Sequence, residues 1–375
     1  MNGDLFFRLP TELCCLILRD WLLLGSVVRL DNAVCNVEKR SLLWNTIYAS
    51  PQCILSQGSS YCFHERETFA WLCARNLSAS GLYFTWDVDE TVRQYFQSFG
   101  ASIKKIEFHN CDVVAYLSLI CMHCSNIVCV SFADVKYPIS EGGLELLSRN
   151  LKALDLSGTS ITDEILELIT KRCPRITHLS VSGFLSISDD CGRIVGSNLR
   201  HLQWLDIANN DDLTDAMLIT LAEHSHATLK SLHMEYTEGM YGFGLMELIK
   251  KCTKLSSLFI TYHEDFFENF DFSLLCNLTE LSICHQNETE EYLHSIPKYC
   301  KRLQRFRLYC DFLCDRKSNC FHLKELTRKR LPDLKVLAPF GVSKKELAHF
   351  RLIRPEVEIV LTHIEFDPCL FNMKW

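Results

Sequence analysis

One short apolar pattern, apolar-x-x-apolar-x-apolar, returns along most of this 375-residue chain and constrains its fold more than any other feature. It appears at Ile103-Ile106-Phe108, Ile127-Val130-Phe132, Leu151-Leu154-Leu156, Ile176-Leu179-Val181 and Leu202-Leu205-Ile207. It continues at Leu229-Leu232-Met234, Leu255-Leu258-Ile260, Leu278-Leu281-Ile283 and Leu303-Phe306-Leu308, with a weaker copy at Leu334-Leu337. The first nine copies are spaced by 24, 24, 25, 26, 27, 26, 23 and 25 residues. A short strand that recurs at such a period marks a unit that cannot bury its own apolar face, so successive units must stack to make a core.

The rest of each unit supports that reading. A polar turn follows the strand, and Ser140, Thr162-Asp163, Ser188-Asp189 and Thr214-Asp215 stand where short side-chain oxygens can cap a helix start. Apolar residues then recur at helical spacing, as in Ile165, Leu168 and Ile169. The helices end on Lys171-Arg172 or Lys250-Lys251, which oppose the negative end of the helix dipole. Cys124, Cys173, Cys252 and Cys300 each lie three residues before the next strand's first apolar residue, and Cys276 lies two before. The pattern resembles the cysteine-containing subtype of leucine-rich repeat. That resemblance implies an α/β solenoid, a horseshoe with a parallel sheet on the concave face and helices on the convex face. Strands ~4.8 Å apart backed by helices ~8–10 Å apart require such a bend.

The chain's beginning departs from the repeat. Leu9-Pro10-Thr11-Glu12-Leu13 opens an apolar helical stripe through Leu16 and Ile17, and Val27, Leu30 and Val34 form a second. A third helix is expected from about Val37 to Tyr48. Leu9-Pro10-x-Glu12-Leu13, Ile17-Leu18 and Val34-Cys35 resemble an F-box, with Glu38 where that family carries a Trp. The resemblance implies docking on the adaptor of an SCF-type ubiquitin ligase through Leu9, Pro10, Leu13, Ile17 and Val34, and through the adaptor to a cullin. The expected organisation is residues 1–50 F-box-like, 51–100 a linker with a degenerate first repeat, 101–362 the solenoid and 363–375 a tail. Within 51–100, a helix from Tyr61 to Arg75 and a strand at Leu82-Tyr83-Phe84 are expected.

Composition narrows the function. The formal charge of −7 disfavours nucleic acid as a partner. The apolar run Leu13–Val28 is interrupted by Arg19 and Asp20 and is too short for a membrane span. It also lacks a basic leader, so a cytoplasmic or nuclear protein is expected. Twenty cysteines spread through a long chain read as reduced, buried fillers rather than a disulfide framework. Cys310, Cys314, Cys320 and His322 could ligate zinc, but they lack two-residue spacing, and no metal or cofactor is expected. Asp211, Asp212, His224 and His226 match no catalytic signature, and no phosphate-binding glycine loop is present, so no enzymatic activity is expected.

The strand residues beside the second and third apolar positions should face away from the helices. They form the expected partner site: Asp155, Trp204, Asp206, His233, Glu235, Phe259, Arg305, Arg307 and Tyr309. The expected function is substrate recognition for an SCF-type ligase, with an unknown protein substrate on this face. The alternative is a leucine-rich-repeat scaffold or inhibitor outside the ubiquitin system, in which residues 1–50 only cap the first repeat.

Overall fold

The computed structural model describes residues 9–20, 27, 29–30, 34, 37–43, 55–56, 65–109, 111–135, 143, 146–183, 186–225, 228–237, 239–262, 270–285, 291–310, 326, 328–338 and 344–360. The chain falls into two compact units, divided between Thr159 and Ser160. That division lies within the periodic stretch.

In the first unit, helices α1 (Thr11–Asp20) and α2 (Val37–Leu42) precede a parallel ladder. Its strands are β1 (Leu55–Ser56), β2 (Ala79–Phe84), β3 (Lys105–Phe108), β4 (Cys129–Ser131) and β5 (Ala153–Asp155). Helix α3 (Glu65–Arg75) lies before β2, α4 (Glu90–Phe99) before β3 and α5 (Val113–His123) before β4. Leu82, Ile106, Val130 and Leu154 stand opposite one another in register, so Leu82-Tyr83-Phe84 is the strand of an early repeat. Behind it, Phe69, Phe84, Tyr95, Phe96, Phe108, Tyr116 and Phe132 are all buried. Phe84 and Tyr116 have ring centroids 4.7 Å apart, and aromatic area replaces the aliphatic residues of later repeats.

The second unit repeats the plan with β6 (His178–Ser180), β7 (Trp204–Asp206), β8 (Ser231–Met234), β9 (Ser257–Tyr262), β10 (Glu280–His285), β11 (Arg305–Cys310), β12 (Val336–Ala338) and β13 (Glu358–Ile359). Its helices are α6 (Asp163–Arg172), α7 (Asp190–Asn198), α8 (Asp215–Ser225), α9 (Phe243–Lys251), α10 (Glu291–Tyr299) and α11 (Lys344–Ile353). Between β9 and β10, the shortest repeat, the described residues include a 3₁₀ turn at Phe272–Asn277. Every described strand pair is parallel, and Leu179, Leu205, Leu232, Leu258, Leu281, Phe306, Leu337 and Ile359 align across the ladder. Both units are therefore α/β leucine-rich-repeat solenoid.

Two devices make each unit turn back on itself. After the strand, the residue two past the third apolar position adopts positive φ: Asp134 (57°), Gly158 (66°), Gly183 (94°), Asn209 (56°) and Tyr236 (55°). In three of these turns a buried polar side chain one residue later closes the turn. Asn210 donates through Nδ2 to the carbonyls of Val181 and Ile207, while Thr159 and Thr237 donate to Leu156 and Met234. At the helix end, Cys124, Cys173 and Cys252 are the C-cap residues of α5, α6 and α9, and Cys300 follows α10. All four are buried, each N–H donating four residues back and each carbonyl accepting from the next strand's first apolar residue. Leu199 holds the same place after α7.

Capping by the turn residues is more varied than the sequence suggests. Ser188 and Thr214 accept from Asp190 and Ala216 N–H as expected. Thr162 makes no side-chain cap bond to the backbone, and Ser140 lies outside the described residues. The following aspartates join repeats instead: Asp163 accepts from Ser188 N–H and Oγ, and Asp189 from Thr214 N–H and Oγ1. These bonds tie each helix start to the next.

Candidate functional site

In the first unit, Pro10 opens α1, its carbonyl accepting from Leu13 and Cys14 N–H at 3.0 Å. Pro10 is exposed, Leu13 is 41 % exposed, and Leu9 and Ile17 are half-buried. Cys14, Val27, Val34 and Leu43 are buried. Val34, expected as a contact residue, is thus buried together with Val27. Leu42, which the sequence reading did not single out, is 37 % exposed. The third helix is described over Val37–Leu42, and its expected continuation to Tyr48 lies outside the described residues.

Asp155, on the sheet of the first unit, accepts from Ser131 Oγ at 2.9 Å and caps Ser157 N–H at 3.0 Å. The second unit repeats the arrangement one for one. Asp206 accepts from Ser180 Oγ at 2.9 Å and from Ala208 N–H at 3.0 Å. A carboxylate at this register position satisfies both the neighbouring strand and its own turn.

The second unit extends this into a polar strip. His233 lies between two carboxylates, with Nδ1 3.3 Å from Asp206 Oδ1 and Nε2 2.8 Å from Glu235 Oε2. Phe259 packs beside its ring at 5.3 Å between centroids. Ser282 donates to the other Glu235 oxygen at 3.5 Å, and Tyr236 hydroxyl stands 3.2 Å from Cys284 Sγ. Further along, Arg305 lies 3.8 Å from Glu280, and Arg307 follows at the next outward position of β11. Tyr309 is in register with Cys284 along the ladder. Ser180, Asp206, His233, Phe259, Ser282 and Arg307 thus form one row across six strands.

Exposure along the row differs from the expectation of open aromatic anchors. Trp204 is 5 % exposed and Phe259 4 %. Asp155, Asp206 and Glu235 are also buried. Strands less than 5 Å apart let each large side chain cover its neighbours. Arg305 remains exposed. His178, Ser180, Glu280, Ser282, Tyr236 and Cys284 join this strip although the sequence reading passed over them. Reading the same column in the repeats at Ile176 and Leu278 picks out all but Tyr236, whose turn position only the structure reveals.

His178 stacks on Trp204 with centroids 6.4 Å apart. Burial, aided by the charge of Lys230, lowers its pKa to about 4, so the ring is neutral at neutral pH. The other chemical candidates are not assembled. Asp211 and Asp212 are exposed in the turn before α8, whereas His224 occupies its last turn, one helix length or about 15 Å away. His226 lies outside the described residues, as do Cys314, Cys320, His322 and the side chain of Cys310. Among the described residues no group of three or more His, Cys, Asp or Glu could hold a metal ion, and no helix is long and apolar enough to cross a membrane.

No family model matches the chain, and no curated protein does either. Solved structures of repeat proteins do align with it. A leucine-rich-repeat protein of Leptospira interrogans is 13 % identical over 78 % of this chain and 98 % of its own, with a TM-score of 0.32. An internalin of Listeria monocytogenes is 14 % identical over 65 % of this chain and 70 % of its own, at 0.35. Rad7, solved in complex with Elc1 in yeast, is 13 % identical over 96 % of this chain and 93 % of its own, at 0.43. Superpositions this loose carry no argument, and the fold assignment rests on the strand ladder and its recurrent turns.

Proposed function

We propose that the chain is a substrate-recognition subunit of an SCF-type ubiquitin ligase, with residues 9–43 docking the adaptor and the helix-distal sheet face taking a protein substrate. One observation carries the reading: α1 keeps Pro10 and Leu13 exposed while Cys14 on the same helix is buried. A helix of ten residues that leaves apolar side chains in water has a surface suited to a partner. Leu9 and Ile17 flank that surface, and Leu42 adds a further exposed apolar side chain. The F-box-like Leu9-Pro10-x-Glu12-Leu13 start and its place ahead of a repeat array support the same role. No step of this role asks the chain itself for catalysis or a cofactor; it binds two proteins.

The burial of Val27, Val34 and Leu43 supports a second reading, in which this segment seals the first repeat of a scaffold unconnected with ubiquitin. A pull-down separates the two. Pro10→Ala with Leu13→Ala changes exposed positions and leaves the fold intact under both readings. Loss of adaptor and cullin from the captured complex supports the receptor. A folded full-length chain that captures no adaptor from its own cell supports the scaffold.

A further inference from the structure

The second unit carries unlike charges on its two loop edges. Where the strands begin, the turns hold Arg175, Arg200, Lys230, Lys254, Lys301 and Arg302, all exposed. They precede β6, β7, β8, β9 and, after a gap at β10, β11. Contacts between turns place them on one edge. Lys230 Nζ donates to Gln203 at 2.8 Å, Thr228 to the Arg200 carbonyl at 3.5 Å, Ser256 N–H to the Lys230 carbonyl at 2.8 Å and Arg302 to Asn277 at 3.4 Å. Where the strands end, the same unit presents Asp163, Asp189, Asp190, Asp211, Asp212 and Asp215, and Arg193 there is bound to Asp190.

The fold explains only part of this. Helix dipoles favour cations in a last turn, and α6 and α9 each end on two. That effect fades within the turn, whereas Arg175, Arg200, Lys230 and Lys254 lie beyond the helices. Like charges on adjacent turns repel, so the edge is stabilised by an anion laid along it. We infer that this strand-start edge binds an acidic polypeptide segment in extended form. Alternate side chains of an extended chain project every ~6.7 Å. That spacing falls between the ~4.8 Å of the strands and the ~8–10 Å of the helices that the edge bridges. A nucleic acid fits less well. None of the large apolar side chains exposed among the described residues lies on these turns to stack a base. The inference stands whether or not residues 9–43 bind an adaptor.

The test is fluorescence anisotropy of a labelled twelve-residue peptide of alternating Glu and Thr against the full chain in about 50 mM NaCl, where screening is weak. Replacing Arg175, Arg200, Lys230 and Lys254 together by Gln is expected to raise Kd at least about tenfold. Asp211→Asn with Asp212→Asn, on the other edge, should change it less than about twofold. If the quadruple variant loses its circular-dichroism melt, Arg200→Gln and Lys254→Gln singly replace it, each expected to weaken binding about twofold. Absence of peptide binding, an unchanged Kd in the folded variants, or tighter binding of duplex DNA of equal charge overturns the inference.

Discussion

Arg354 takes, ahead of β13, the structural place that Cys300 takes ahead of β11. Both N–H groups close onto the carbonyl four residues back at 2.8 Å, and both carbonyls accept from the next strand's first apolar residue. The side chains differ. Cys300 is a buried thiol, while Arg354, also buried, spends its guanidinium on the carbonyls of Leu326, Leu331 and Leu334 and on Glu356 at 2.8 Å. In this repeat the arginine satisfies carbonyls of the preceding turn, which a thiol in its place does not reach.

Replacing Arg354 by Met keeps the bulk and removes the donors. It leaves buried carbonyls unsatisfied and should lower the unfolding free energy by about 3 kcal/mol. Replacing Arg351, exposed in α11, should change it by less than about 0.5 kcal/mol. Urea unfolding of the two variants checks this; equal midpoints would show that the guanidinium network contributes nothing.

The cysteines at the helix ends should be chemically quiet. Burial raises the thiol pKa of Cys124 and Cys300 to about 12 and of Cys252 to about 11, so almost no thiolate exists at pH 8. Cys121 and Cys276 are exposed. Brief iodoacetamide treatment of the native chain, read by peptide mass spectrometry, should label these two well before the three buried ones. Labelling of Cys252 at the rate of Cys276 would mean the cap position opens to solvent.

The same comparison shows what a sequence can carry. The apolar columns set the strand register almost residue for residue, because a shift by one would expose a whole face. Cys276 was placed near the cysteine column, but there Leu275 is the buried cap and Cys276 points outward. The repeat between β9 and β10 is the shortest, and the 3₁₀ turn that ends it puts the buried position one residue earlier, at Leu275. The candidate face was legible as a set of outward positions, since alternation fixes which side chains share a side. Its burial was not, because coverage by a neighbouring strand depends on the size of side chains some 25 residues away. The burial of Val34 was hidden likewise, for a stripe at helical spacing does not say what it packs against.

Acidity should weaken the fold through His178. Its folded pKa, about 4, lies below the ordinary value of 6.5. Between those values the unfolded chain binds a proton that the folded chain refuses, so this contribution is complete above pH 6.5 and is lost as pH falls towards 4. The difference is at most about 3 kcal/mol, and the ring's partial contact with solvent reduces it. His178→Gln should flatten the stability profile over that window and leave it unchanged at pH 8. A variant profile that parallels the wild type from pH 6.5 to 4 would remove His178 from the account.

Trp204 and Arg305 occupy the same register column four strands apart, yet their substitution should have opposite consequences. Trp204 is buried and its ring stacks on His178, so Trp204→Ala should cost about 3 kcal/mol of stability. Phe259, packed on His233, should behave alike. Arg305 is exposed, and its contact with Glu280 at 3.8 Å is long and solvated, so Arg305→Ala should change stability by less than about 0.5 kcal/mol. A partner that reads this face therefore has to be probed through Arg305, where lost binding is not confounded by lost fold. Thermal melts of the three single variants decide the first half of the claim. If Trp204→Ala melts with the wild type while Arg305→Ala does not, the side chains that hold the sheet face together have been assigned the wrong way round.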